Sequence, residues 1–345
     1  APTGETRTRI LEAVLAECRS GETPKRGVIR LLTAMASNRS AKTDTVATRT
    51  SNRNFVSRVF VKIVPIVGSI TRRQQRILVA QLFEYMSVCI QQTVDVVGSG
   101  ANSDERTLQN ESTVVASLGS QALAVFEVLL SKWTLDSSAD VRCAAATALC
   151  YLSQLLPANA VERNSGAIFD AVLRQLTHEP GTRPLALDQT DIARRLLLVS
   201  GLSATLEFFG LTRDTLSLET TLRTVKILLV LHPLFPVAQP PRSKQFDHSA
   251  ETQRLELRLS AQIFRCFETL CGGGGVRKHG KGTGHTKSGN SEHQRRVMDV
   301  ILANLRTPPT ANSGAFAALV VINSLSVVRH LTAQPSIAQL FTDLD

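Results

Sequence analysis

Aromatic side chains are scarce: they make up 5% of the 345 residues, with one Trp and two Tyr. The apolar stretches are built instead from Ala, Leu, Val, Ser and Thr, which suits close-packed helices better than an aromatic-rich β-sandwich. Strand signals are missing too, because no alternating β-branched run is closed by Asn-Gly or Asp-Gly. The six cysteines form no Cys-x-x-Cys pair and keep no regular spacing, which argues against a disulfide framework and for a reducing compartment. The opening Ala1-Pro2-Thr3-Gly4-Glu5 has no initiator Met, basic n-region or apolar h-region, so it reads as the start of a segment of a longer protein. A charge-free stretch, 307–328, approaches membrane-spanning length. Pro308, Pro309, Asn312 and Asn323 interrupt it, and its strongly apolar part, 316–328, is too short to span, so a buried helix is expected there.

What is present in excess is positive charge. Lys and Arg number 39 against 29 Asp and Glu, a net charge of +10, which favours an acidic partner and says nothing about fold. Two loop-like stretches concentrate it. In 38–62 Arg39, Lys42, Arg49, Arg53 and Arg58 face Asp44 alone; in 271–296 Arg277, Lys278, Lys281, Lys287, Arg295 and Arg296 face Glu292.

Elsewhere the period is helical. Ala122, Phe126, Leu129, Leu130 and Trp133 fall on one face of a 3.6-residue helix, and Val141, Ala144, Ala145, Ala148, Leu149, Leu152 and Leu156 repeat the pattern. Between them Asp136-Ser137-Ser138-Ala139-Asp140 supplies turn formers, with Asp140 expected to cap the second helix, and Pro157 stops it. The result is an antiparallel helical hairpin. Leu78, Leu82, Tyr85, Met86 and Cys89 are expected to line another helical face, as are Leu259, Ile263, Cys266, Phe267 and Leu270. Hairpins are predicted at 5–36, 54–97, 110–156, 161–209, 212–271 and 292–333, and inserted loops at 37–53, 98–110, 233–248 and 272–292 interrupt the array. Successive hairpins with no composition break are expected to form one continuous α-solenoid over 1–345, since each pair can bury its apolar face only against its neighbours.

The hairpin 121–156 also carries a marked sequence. Asp136-x-x-x-Asp140-Val141-Arg142-x-x-Ala145-x-x-Ala148-Leu149-x-x-Leu152 resembles the HEAT-repeat pattern, in which an Asp turn is followed by Val-Arg at the start of the inner helix. Phe55-Val56-Ser57-Arg58-Val59-Phe60 through Leu82-Phe83-Glu84-Tyr85, Ala124 to Trp133, Val141 to Leu149, Leu152 to Pro157, Ile263 to Leu270 and Val327 to Leu331 are similar to the N-terminal region of the maestro HEAT-like repeat family. The resemblance covers most of 55–333, while the loops at 98–110, 233–248 and 272–292 look unlike the family. It implies an all-α, right-handed HEAT-type (armadillo-like) solenoid of about six helical hairpins. It further implies a cytoplasmic scaffold or adaptor, peripheral on endomembranes such as lysosomes or vacuoles. On this reading Asp136, Asp140, Val141, Arg142, Ala145 and Leu149 are the structural signature.

Catalytic chemistry has little purchase. Gly275-Val276-Arg277-Lys278-His279-Gly280-Lys281 approaches a P-loop, but Gly282 stands where the motif needs a hydroxyl, and the segment follows a helix rather than a strand. His279, His285 and His293 share one basic loop, match no zinc spacing and are surrounded by cations. Cys143 with Cys150, and Cys266 with Cys271, read as small core residues. His178, His232 and His330 fall at predicted helix ends, where a cation meets the C-terminal dipole. No nucleophile elbow Gly-x-Ser-x-Gly occurs.

The sequence therefore reads as a non-enzyme without cofactor or metal, whose partner is a protein received in a groove lined by the second helix of each hairpin. An anionic membrane surface is the alternative, met through Arg277, Lys278, Lys281, Lys287, Arg295 and Arg296. Nucleic acid ranks third, because no aromatics interleave with these cations for base stacking.

Overall fold

The computed structural model describes residues within 57–97, 105–177, 189–211, 217–231, 250–271, 288–306 and 314–333, together with Arg9 and Ala13. Among the described residues the chain is helical, with no strand. After the helical residues 57, 60, 61, 63–65 and 67 come α1 (Arg73–Val97), α2 (Glu105–Ser131), α3 (Ala139–Leu152), α4 (Ala158–Thr177), α5 (Gln189–Leu211), α6 (Leu218–Leu231), α7 (Ala250–Leu270), α8 (Ser288–Arg306) and α9 (Gly314–Thr332). Helices therefore occupy both halves of every predicted hairpin from 54–97 onward. The predicted hairpin 5–36 lies outside the described residues except for Arg9 and Ala13, and the loops 37–53 and 233–248 lie wholly outside them. Two loop limits need correction. Residues 105–110 open α2 and residues 288–292 open α8, so the helices begin earlier than their first apolar periodic residues indicate.

The chain divides into two compact units, Ala1–Ile168 and Phe169–Asp345, the division falling within α4.

In the first unit α3 packs along α1 and against α2. Its sequence, ADVRCAAATALCYL, has almost no bulk, so neighbours approach from several sides. Val141, Cys143, Ala144, Ala145, Ala146, Thr147, Ala148, Leu149, Cys150 and Leu152 are all buried. The hydroxyl of Thr147 returns to the Cys143 carbonyl at 3.0 Å, which leaves no unmet donor in that dry setting. The N-terminal part of α1 packs on the preceding helical residues, with Phe60 and Phe83 edge to face at a centroid distance of 5.2 Å. Val79, Leu82, Phe83 and Met86 form the buried face of α1, whereas Tyr85 is exposed and Leu78 half-buried. The expected stripe through Leu78 and Tyr85 is thus rotated, because α1 turns its Val79–Phe83–Met86 side toward α3 and Phe60.

α2 ends at Ser131, and Trp133 is buried in the short 3-10 turn Trp133–Leu135 rather than on the helix. Pro157 closes the next connection. Its carbonyl accepts the first amides of α4, from Ala160 at 2.9 Å and Val161 at 3.0 Å, so one residue both ends a helix and starts another.

In the second unit α5 packs along α7, α7 on α9, α6 on α8, and α6 also on α7 and α9; α8 packs on α9. The expected face Leu259, Ile263, Cys266, Phe267 and Leu270 of α7 is buried throughout. Val199, Leu202 and Leu206 of α5, Val225 and Leu228 of α6, Met298 and Ile301 of α8, and Val327 and Leu331 of α9 are buried as well. No helix among the described residues is long and apolar enough to cross a membrane.

Candidate functional site

Four of the signature residues, Asp136, Asp140, Val141 and Arg142, lie in the turn before α3 and in its first turn. Asp136 organises the turn: its Oδ1 accepts the Ser138 amide at 2.8 Å, its Oδ2 accepts Arg76 of α1, and its carbonyl accepts Arg142 Nη1 at 2.9 Å. Arg142 also donates to the Ser137 carbonyl at 3.0 Å, so the Val-Arg pair straps the turn to the helix it precedes. Arg76 in addition donates to the Ile70 carbonyl at 2.9 Å and lies 5.9 Å from the Trp133 ring centroid, a cation–π contact that closes the turn over α1.

Asp140 does not cap α3. The N-cap is Ser138, whose side chain makes no cap bond, and Asp140 sits inside the first turn with its carboxylate paired to Arg73 of α1. Its charge still favours the helix N-terminus, but the bond it makes is tertiary. Val141, Ala145 and Leu149 are fully buried core residues.

Of the candidate anion-contacting residues, Arg295 and Arg296 are exposed in the middle of α8. Arg277, Lys278, Lys281 and Lys287 lie outside the described residues, as do the near-P-loop segment, His279, His285, His178 and His232. Among the described residues no group of His, Cys, Asp or Glu could hold a metal ion. Cys143, Cys150, Cys266 and Cys271 are buried thiols; Cys271 Sγ lies 3.6 Å from Met298 Sδ, and burial pushes its pKa up to about 12.

Several polar features had no clear sequence signal. One is a set of polar contacts, each joining a helix to the next but one: the ion pairs Arg73–Asp140 (α1–α3), Asp170–Arg223 at 2.5 Å (α4–α6) and Glu207–Arg265 at 2.5 Å (α5–α7), and the Glu268–His330 contact at 2.6 Å (α7–α9). Arg265 clasps Glu207 with a second bond, Nη2 to Oε2 at 3.3 Å. His330, which does sit in the last turn of α9 as expected, also stacks on Phe264 of α7 with centroids 4.2 Å apart. Exposed pairs of this kind contribute only about 0–1 kcal/mol each, so they register the helices more than they stabilise them.

A second feature closes the end of α6. The Leu229 carbonyl would normally accept from the residue four further on, but that residue is Pro233, which has no N–H. Asn323 of α9, fully buried, donates to it instead at 2.8 Å, and Arg195 of α5 donates to the Leu231 carbonyl. A third is Glu84 on α1. It shares a half-buried stripe with Ile77, Gln81 and Val88, and no described residue pairs with it. Desolvation raises its pKa to about 7. A lone carboxylate in the uncharged run 77–94 was the available signal.

No protein-family profile, curated protein or solved structure matches the chain.

Proposed function

We propose that the helices of each unit stack as HEAT-type repeats and that the protein is a non-catalytic scaffold, in which the second helices of a unit, α1 and α3 in the first and α5, α7 and α9 in the second, form a layer of that unit that receives a protein partner. The observation that carries this reading is the packing order. α1 lies on α3, α5 on α7, α7 on α9 and α6 on α8, which is how paired helices stack when each repeat buries its face on the next. The cross-helix polar contacts follow the same order. The Asp136 turn and the Val141-Arg142 step support a likeness to HEAT repeats, and with it the relation to the maestro HEAT-like family, a right-handed array and a cytoplasmic place beside endomembranes.

The test is site-specific photo-crosslinking of the full chain in cells, with a benzophenone amino acid at Leu257 (α7) or Leu325 (α9), and at exposed Lys226 (α6) or Arg295 (α8) as first-helix controls. Trapping of one stoichiometric protein from the second-helix positions is the expected result. Trapping from Lys226 and Arg295 alone would move the interface to the other layer and refute the assignment.

A further inference from the structure

We infer that the exposed face of α7 and α9 binds an acidic segment with apolar anchors, an amphipathic peptide whose carboxylates meet arginines while its hydrophobic side chains cover Leu257 and Leu325. The inference rests on the reading of the second helices as the docking layer and adds the chemistry of the partner.

The α7 face is defined by period. Arg254, Leu257, Arg258, Ala261 and Arg265 recur at helical spacing, all exposed, opposite the buried Leu259, Ile263, Cys266 and Phe267. Leu257 is 72% exposed, and Leu325 on the neighbouring α9 is 54% exposed with Arg329 one turn beyond. Two large apolar side chains so exposed on adjacent helices, with arginines around them, have the make-up of an interface: an apolar centre and a charged rim.

Charge decides what fits. The carboxylates facing this layer, Glu207 and Glu268, are already engaged by Arg265 and His330. Arg254, Arg258 and Arg329 therefore leave the face positive, with Glu251 in the first turn of α7 as its exposed acid. The cations of this face are all arginines: Arg254, Arg258 and Arg265 on α7 and Arg329 on α9. Arginine is enriched and lysine depleted in protein interfaces, because the planar guanidinium binds carboxylate in two-point fashion and gives up its hydration more readily.

The experiment uses the purified full chain and a fluorescent helical peptide of Glu and Leu, with Leu on one face, alongside its Lys-for-Glu counterpart and vesicles of phosphatidylserine. Anisotropy should show the Glu peptide binding and the Lys peptide not. Arg254→Glu with Arg258→Glu, or Leu257→Ser, should weaken binding by about tenfold or more, with the fold checked by melting. Arg295→Glu with Arg296→Glu, the same charge change on α8, should leave it within about twofold. An equal loss in the α8 variant would reduce the effect to attraction by net charge and overturn the inference. So would no binding of the Glu peptide, equal binding of the Lys peptide, or vesicle binding that depends on Arg254 and Arg258 in place of peptide binding. If photo-crosslinking at Leu257 traps a partner through a basic or uncharged segment, the docking layer stands and the acidic partner falls.

Discussion

Glu84 offers the most direct test of the first unit's packing. Its folded pKa of about 7 lies well above the ordinary glutamate value of 4.5, with burial as the cause, so the folded state holds the proton more tightly than the unfolded chain. The sign follows. Below about pH 4.5 the carboxyl is neutral in both states and costs nothing; as pH rises toward 7 the unfolded chain ionises first, and stability is lost until both forms are charged. The shift corresponds to about 3 kcal/mol lost between those limits. Glu84→Gln keeps the shape and removes the titration. In a domain the size of the first unit, that difference amounts to roughly 6–12 °C in melting temperature. Calorimetry of the wild type and the variant from pH 4.5 to 8 should show curves that converge at the acid end, with the variant more stable at the alkaline end. Parallel curves would refute the burial of this carboxyl, since every other titrating group is common to both proteins.

Other substitutions separate packing from backbone effects. Gly166→Ala in α4 is expected to stabilise by about 0.5–1 kcal/mol, because an added Cβ meets nothing within 4 Å and the helix interior gains a better former. Gly119→Ala in α2 should do the reverse, its Cβ falling 3.3 Å from the rigid Pro157 ring; urea denaturation that stabilises both would overturn the α2–Pro157 contact. Val141→Asp places a charge at a fully buried position in the first turn of α3 and should cost more than about 3 kcal/mol, against about 0.5 kcal/mol or less for exposed Arg295→Glu; equal melting temperatures would contradict the helix assignment. Asn323→Leu strands the Leu229 carbonyl and should cost about 1–3 kcal/mol in denaturant titrations, so wild-type stability would show that bond to be dispensable.

The helices were legible wherever one face is apolar and the other is not. α7 shows this best: its alternation of Leu259, Ile263, Cys266 and Phe267 with Arg254, Arg258 and Arg265 leaves one orientation possible. α1 was harder, because Leu78, Tyr85 and Met86 satisfy the helical period as well as Val79, Phe83 and Met86 do, and only the position of Phe60 and α3 decides between them. The helix starts at Glu105 and Ser288 were missed because their first turns are polar and carry no period. Asp140 illustrates a different limit. A carboxylate just before an apolar run is a good cap by local rules, but an arginine on α1, 67 positions earlier in the chain, takes it instead. Pairs separated by such distances, Glu207 with Arg265 or Glu268 with His330, leave no trace in a single sequence.

The end of α6 shows how these non-local contacts bear on function. A proline four residues beyond Leu229 removes a donor, and the replacement comes from α9 while a second donor comes from α5. One first helix is thereby tied at its end to two second helices. α7 lies between α5 and α9 in the series of polar contacts, held by Arg265 on one side and Glu268 on the other. Polar groups inside an apolar helix such as α9 therefore do not mark a site: Asn323 is occupied in holding the layer. The arginines left over, Arg254, Arg258 and Arg329, face solvent beside exposed leucines. For the proposed acidic partner this fixed layer would leave little side-chain or backbone ordering to oppose binding beyond the arginines themselves.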